Sequence, residues 1–172
     1  MKFNVAQLLK DSPGASLGYD LDEDITWIDD DLEILAPLVG RIILTRTVSG
    51  VLVTGQARTT MRLACPRCLE LYERKVSFEF EEEFVSAVDI RTGASIPIPE
   101  DADRGMVIDE SHVLDLAEPV RQYLVIAQTT CPPCRASCAG LCPECGQNLN
   151  LGQCQCSETV TDERFAALKT LL

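Results

Sequence analysis

Apolar and polar side chains alternate with a period of two through much of residues 38–85, and that pattern predicts strands. From Val51 to Leu63 the odd positions hold Val51, Val53, Ala57, Met61 and Leu63, while the even ones hold Thr54, Gln56, Arg58, Thr60 and Arg62. Such alternation buries one face and wets the other. Leu38–Val48 is rich in β-branched and apolar residues, and Val48-Ser49-Gly50-Val51 supplies a hairpin turn. Val76, Phe78 and Phe80 then alternate with Ser77, Glu79 and Glu81. The segments predict an antiparallel sheet on which Arg58 and Arg62 pair with Glu79 and Glu81 across strands.

Elsewhere the period becomes helical. Val113, Leu116, Ala117, Val120, Leu124 and Ala127 predict a helix over about residues 115–128 that packs on the sheet. Asp115 and Glu118 suit a capping box, and Pro119 is tolerated because it falls in the first turns. A short helix is expected over residues 2–10, stopped by Asp11-Ser-Pro-Gly-Ala. Another is expected over 161–172, capped by Thr161 or Asp162, with Phe165, Leu168, Leu171 and Leu172 on one face. Residues 86–112, punctuated by Gly93, Pro97, Pro99 and Gly105, read as loop. The fold class is α+β: an antiparallel β-sheet, a packing helix and a C-terminal zinc-ribbon-like extension. The expected divisions are an acidic core domain over 1–130, a cysteine-rich metal-binding segment over 131–158 and a C-terminal helix over 159–172.

Charge narrows the choice of partner. The net charge is −12, and residues 131–172 hold only three basic and four acidic side chains, so nearly all of it lies in residues 1–130. Such a field repels a phosphate backbone, which disfavours extensive direct contact with RNA and favours a basic protein. Asp20, Asp22, Glu23, Asp24, Asp29, Asp30, Asp31 and Glu33 form an acidic stretch, read first as solvated surface. Trp27, the single tryptophan, lies within it and reads as a core anchor. No apolar run approaches membrane-spanning length, and the opening Met-Lys-Phe-Asn-Val-Ala-Gln has no secretory pattern, so a cytoplasmic protein is expected.

In a reducing compartment, clustered cysteines favour metal over disulfides. Cys65 and Cys68 form an isolated C-x2-C knuckle, and seven more cysteines crowd into residues 131–156. Setting one aside leaves eight, enough for two tetrahedral four-thiolate zinc sites. Cys142-Pro-Glu-Cys145-Gly146 and Cys154-Gln-Cys156 supply the first site, with Cys142, Cys145, Cys154 and Cys156 as ligands; Gly146 lets the backbone double back. Cys65 and Cys68 then meet Cys134 and Cys138 in the second. Cys131 is left over, although Cys131-Pro-Pro-Cys134 is also C-x2-C and Cys131 could replace Cys138. A metal-free early knuckle, with Cys134 and Cys138 in one tail cluster, is the alternative.

Three motifs carry a resemblance. They are Cys65-Pro-Arg-Cys68-Leu after an alternating strand, Cys138-Ala-Gly-Leu-Cys142-Pro-Glu-Cys145-Gly-Gln-Asn-Leu-Asn, and Cys154-Gln-Cys156 followed by Asp162-Glu-Arg-Phe-Ala-Ala-Leu. Together they resemble the bacterial YceD-like family, which usually has Asp-Pro-Arg where this chain has Asp162-Glu163-Arg164. The resemblance implies a role in accumulation of large-subunit (23S) ribosomal RNA, and hence in ribosome assembly; the protein is expected to act by binding, not as an enzyme. Its implied partner is a basic ribosomal protein or a large-subunit assembly intermediate. The acids of 20–33 and Glu79, Glu81, Glu82 and Glu83 are the candidate contacts.

Two other readings stand beside it. A zinc ribbon could bind RNA directly through Arg58, Arg62, Arg67, Arg74 and Lys75. A thiol redox protein could use Cys131. No phosphate loop or nucleotide fingerprint is present, and His112, the single histidine, lies at a predicted helix start.

Overall fold

The alternating segment forms the middle of a six-stranded sheet in the computed structural model, which describes residues 1–98, 103–156 and 164. In chain order the elements are β1 (Lys2–Asn4), α1 (Ala6–Lys10), β2 (Ser16–Glu23), β3 (Glu33–Ile34), β4 (Leu38–Arg46), β5 (Gly50–Ala64), β6 (Leu71–Ser86), β7 (Val107–Ile108), β8 (Val113–Asp115) and α2 (Ala117–Thr129). The sheet runs β2-β4-β5-β6-β7, with β3 paired to β5, while β1 and β8 form a separate antiparallel pair. The ladders β2–β4, β3–β5 and β4–β5 are antiparallel, and β7 joins β6 in parallel. The protein is therefore α+β with a mostly antiparallel sheet.

The chain divides into two compact units. One comprises Met1–Leu63 with Tyr72–Cys131; the other comprises Ala64–Leu71 with the described residues from Pro132 onward.

In the first unit, Val51, Val53, Ala57, Met61 and Leu63 are all buried, as their period requires. Ile42 and Leu44 lie on the same face, set by the register Ile42↔Gly55 and Leu44↔Val53. The helix α2 buries Val120 and Leu124, and its Tyr123 stacks on Phe78 with ring centroids 5.4 Å apart. The turn into β5 is closed by Thr47 N–H to the Gly50 carbonyl at 3.0 Å. Gly55 leaves room for Phe80, whose Cζ would lie 2.8 Å from a Cβ at that position.

Several expectations need correction. The first helix is shorter than residues 2–10, because Lys2–Asn4 pairs with β8 instead. The acidic stretch, for which the sequence pattern predicts no element, begins within a strand: Leu17, Tyr19 and Leu21 alternate with Ser16, Gly18 and Asp20, and the segment forms β2, whose pattern the flanking carboxylates obscured. Trp27 is 58% exposed and is no core anchor; Ile25 and Ile28 take the buried positions on either side. Residues 86–112 carry a Val88↔Ser95 bridge, a short 3-10 turn at Arg104–Met106 and β7.

The helix starts at Ala117, since Val113 belongs to β8. Asp115 caps it by accepting the Ala117 N–H at 3.0 Å, but Glu118 turns to Arg121 and Gln122 and closes no capping box. Arg62 pairs with Glu33 and Glu73, and Glu79 takes a hydrogen bond from Gln56, so the expected Arg58/Arg62 to Glu79/Glu81 pairs do not form. The expected helix over 161–172 lies outside the described residues, apart from Arg164.

Candidate metal centre

Two hexapeptides of the second unit fold alike. In Cys65-Pro-Arg-Cys68-Leu69-Glu70, the Cys65 N–H donates to the Glu70 carbonyl and the Leu69 N–H to the Cys65 carbonyl, both at 2.9 Å. In Cys142-Pro-Glu-Cys145-Gly146-Gln147, the Cys142 N–H donates to the Gln147 carbonyl at 2.8 Å and the Gly146 N–H to the Cys142 carbonyl at 2.9 Å. The fifth residue of each is left-handed, with φ of 61° at Leu69 and 73° at Gly146. Glycine adopts that conformation without penalty; leucine does not. The turn aims both cysteine sulfurs of each hexapeptide to one side.

The sulfurs gather into two tetrads. Cys65, Cys68, Cys134 and Cys138 form one, and Cys142, Cys145, Cys154 and Cys156 the other; within each, all ligand atoms lie within 4.8 Å of one another. Cys65 Sγ lies 3.9 Å from Cys138 Sγ, and Cys68 Sγ lies 3.8 Å from Cys134 Sγ. A zinc tetrahedron with bonds of about 2.3 Å has edges of about 3.8 Å. No cysteine is in a disulfide. Cys131 belongs to neither tetrad and lies half-buried against the core of the first unit.

The tetrads differ in exposure. Cys65, Cys68 and Cys138 are buried, whereas in the other tetrad only Cys142 is buried and Cys145 and Cys156 are exposed.

Local dipoles prepare the sulfurs for ionisation. Burial pushes the Cys65 thiol up, but the N–H groups of Cys134, Cys68 and Arg67 outweigh it and bring its pKa to about 6. The Cys134 N–H is 3.3 Å from Cys65 Sγ. Cys138 is lowered chiefly by Asn150, whose Nδ2 donates to its sulfur at 3.4 Å. In the second tetrad the N–H groups of Cys145 and Glu144 lower Cys142 to about 7. Cys68 and Cys156 meet the opposite field. The Glu70 N–H favours the Cys68 thiolate, yet burial and the sulfurs of Cys65, Cys138 and Cys134 drive it up to about 12. Cys145, burial and Cys142 likewise push Cys156 up to about 12. Four thiolates cannot share so small a space without a cation among them, and a divalent ion at each centre removes the conflict. The all-sulfur donor set suits zinc and excludes oxygen-seeking magnesium or calcium.

Asn150 is a residue the sequence reading passed over. Its Oδ1 accepts the Ala139 N–H at 2.8 Å, and its Nδ2 also donates to Asn148 Oδ1 at 2.8 Å. It stands between Cys145 and Cys154 in sequence, yet it serves a sulfur of the other tetrad. Leu141 N–H donates to the Arg67 carbonyl at 3.0 Å, tying the first knuckle to the chain that enters the second. The contact of Asn150 with the Cys138 sulfur is a product of the fold and has no signature in the sequence.

Fold and site together define a class: an α+β protein with two four-cysteine tetrads placed to hold metal ions, compatible with zinc. The family model described as large ribosomal RNA subunit accumulation protein YceD matches residues 53–172, and the chain belongs to that family. Uncharacterised proteins of Mycobacterium bovis and Mycobacterium tuberculosis are each 33% identical to it over 126 residues, covering 72% of this chain and 56% of theirs. A Zea mays protein described as large ribosomal RNA subunit accumulation protein YCED homolog 1, chloroplastic, is 25% identical over 142 residues, covering 70% of this chain and 48% of its own. The chain thus spans about half the length of the curated relatives it matches. No solved structure matches it. Among the described residues, no helix is long and apolar enough to cross a membrane.

Proposed function

We propose that the protein is a non-catalytic, cytoplasmic factor in assembly of the large ribosomal subunit. In this reading each tetrad holds one zinc ion, and the protein supports accumulation of large-subunit ribosomal RNA by binding a basic ribosomal protein or an assembly intermediate. The observation that carries the reading is the family match over residues 53–172. The net charge of −12 supports a basic protein over naked RNA as the immediate partner.

Internal bonds sort the candidate contacts. Glu82 accepts from the Tyr123 hydroxyl, Glu83 from Thr47 and Ser49, and Glu79 from Gln56. Asp29 pairs with Arg121 and Glu33 with Arg62. Among the described residues, Asp20, Asp22, Glu23, Asp24, Asp30, Asp31 and Glu81 are exposed and have no ion pair, which leaves them available to a cationic partner. The direct RNA reading is weakened because Arg62, one of its five cations, is held by two carboxylates. The redox reading is weakened because Cys131 is half-buried rather than open to a substrate thiol.

The test is depletion of the protein in its own cells, with large- and small-subunit ribosomal RNA quantified. The expected result is a selective fall in the large-subunit species, restored by the wild-type gene; an unchanged ratio ends the reading.

A further inference from the structure

The sheet has an open side at β2. This strand is eight residues long and, among the described residues, pairs only with β4, from Ser16↔Thr45 to Glu23↔Leu38. Among the described residues, no hydrogen bond beyond that ladder engages the backbone of 17–23. All its residues except Tyr19 and Leu21 are exposed. A long, unblunted edge is a template for another strand, and proteins that do not use one usually shorten, bulge or cover it.

The side chains of β2 say what kind of strand fits. Tyr19 and Leu21 lie on the core side with Leu17, which is 39% exposed, and the Tyr19 ring is tilted against Phe3 with centroids 5.1 Å apart. An added strand would continue that row with apolar residues at every second position. The opposite side presents Asp20 and Asp22, and Glu23 and Asp24 follow. Residues 11–40 contain nine carboxylates and no lysine or arginine. One cation approaches from the adjoining strand: Arg41 reaches over Gly18, its Nη2 3.7 Å from where a Cβ there would lie. Arg41 is also the register partner of Asp20, so the attraction concentrates on Asp22, Glu23 and Asp24. Just past it, the exposed Trp27 ring is held by its Nε1–H donating to the Asp24 carbonyl at 2.8 Å. A fixed, exposed indole at the end of an acidic ladder is a docking place for a lysine or arginine. The same carboxylates set two copies of this edge against each other.

We infer that β2 is a strand-addition site for an extended protein segment in which basic and apolar residues alternate, its ladder running along Ser16–Glu23 and its end meeting Trp27. The partner gains main-chain hydrogen bonds from the edge and its register from the alternation. The inference rests on the proposed basic protein partner, and it names the surface that receives it.

The probe is a dodecapeptide of alternating lysine and valine, titrated into the full-length protein by calorimetry. Its control is the same peptide with every backbone amide N-methylated, which keeps the charge and removes the ladder donors. The unmethylated peptide should bind at least tenfold more tightly, slow amide exchange in β2 and shift the emission of Trp27. The triple variant Asp20→Lys, Asp22→Lys, Glu23→Lys should lose this binding while its circular dichroism stays that of the wild type. Equal affinity for both peptides, protection elsewhere, a β2-linked dimer without peptide, or competition by a uridine oligonucleotide for the same site would overturn the inference.

The two proposals fail separately. If the triple variant still captures the basic ribosomal protein that the wild type captures, the β2 site is wrong and the assembly reading stands. If depletion leaves ribosomal RNA unchanged while the peptide binds as described, the assembly reading is wrong and the site stands.

Discussion

The side-chain amide of Asn150 donates a hydrogen bond to the sulfur of Cys138 at 3.4 Å, although Asn150 lies in the loop that builds the other tetrad. One residue thus serves both centres, holding a thiolate of one and the turn of the other. Replacing it should be felt at the sulfur it touches. Asn150→Ala should weaken metal binding at the Cys65/Cys68/Cys134/Cys138 site by about tenfold, the lower end for lost contacts to a ligand. Competition with a chromophoric chelator measures this; unchanged affinity would show that the contact does nothing for the metal.

Leu69 and Gly146 occupy the same left-handed position in the two knuckles. Leu69→Gly relieves a backbone penalty but loosens the unfolded chain, so stability should change by less than about 1 kcal/mol. Gly146→Val meets open space, with nothing within 4 Å of a Cβ, and so it isolates the backbone term. It should cost about 1–3 kcal/mol. Thermal melts of the zinc-loaded variants should therefore diverge, and equal melting temperatures would refute the assigned strain.

Glu118 accepts hydrogen bonds from Arg121 at 2.7 and 2.9 Å and from Gln122 at 3.0 Å, and these contacts pull its pKa from 4.5 to about 2. The folded state holds the proton less tightly than the unfolded one. Its contribution is therefore complete above pH 4.5 and is lost as pH falls through about 2. Glu118→Gln should be less stable than the wild type near neutrality, with the gap narrowing between these limits. Urea midpoints at stepped pH test it, and because both proteins lose metal in acid, only their difference is read.

Chelation should release two equivalents of zinc and expose the knuckle amides of Leu69 and Gly146 to fast exchange, because in such sites metal binding is folding energy. Amides of β4 and β5 should remain protected, since the core around Ile42, Leu44, Val53 and Met61 is apolar and uses no metal. Loss of protection throughout, or no loss anywhere, would contradict this. The exposed tetrad, with Cys145 and Cys156 open to solvent, should empty first.

How much was legible varied with the physics. The alternation from Val51 to Leu63 marked a strand because one face is buried and one wet. The spacings of Cys142, Cys145, Cys154 and Cys156 marked a local cluster because one turn brings paired thiols together. β2 was hidden because its acids mask the alternation of Leu17, Tyr19 and Leu21, and its pairing to β4 is a tertiary fact. Trp27 was misplaced because aromatic bulk suggests burial, while Ile25 and Ile28 already filled the core beside it. The partners of Arg62 were also beyond reach, since Glu33 comes from β3, which no periodicity announced. Leu69 carried no signal, because a left-handed leucine looks like any other in a sequence.

The pairing of distant thiols sets an order of events at the ribosome that makes this chain. Cys68 and Cys134 are 66 residues apart, and Cys65 and Cys138 are 73 apart. At about 5–20 residues per second, the first knuckle emerges roughly 3–15 seconds before its partners. The other tetrad, spanning Cys142 to Cys156, is synthesised within about three seconds at the slowest of those rates. The early knuckle thus spends its first moments as a two-coordinate claw, and the last-made cluster is the one whose donors all arrive together.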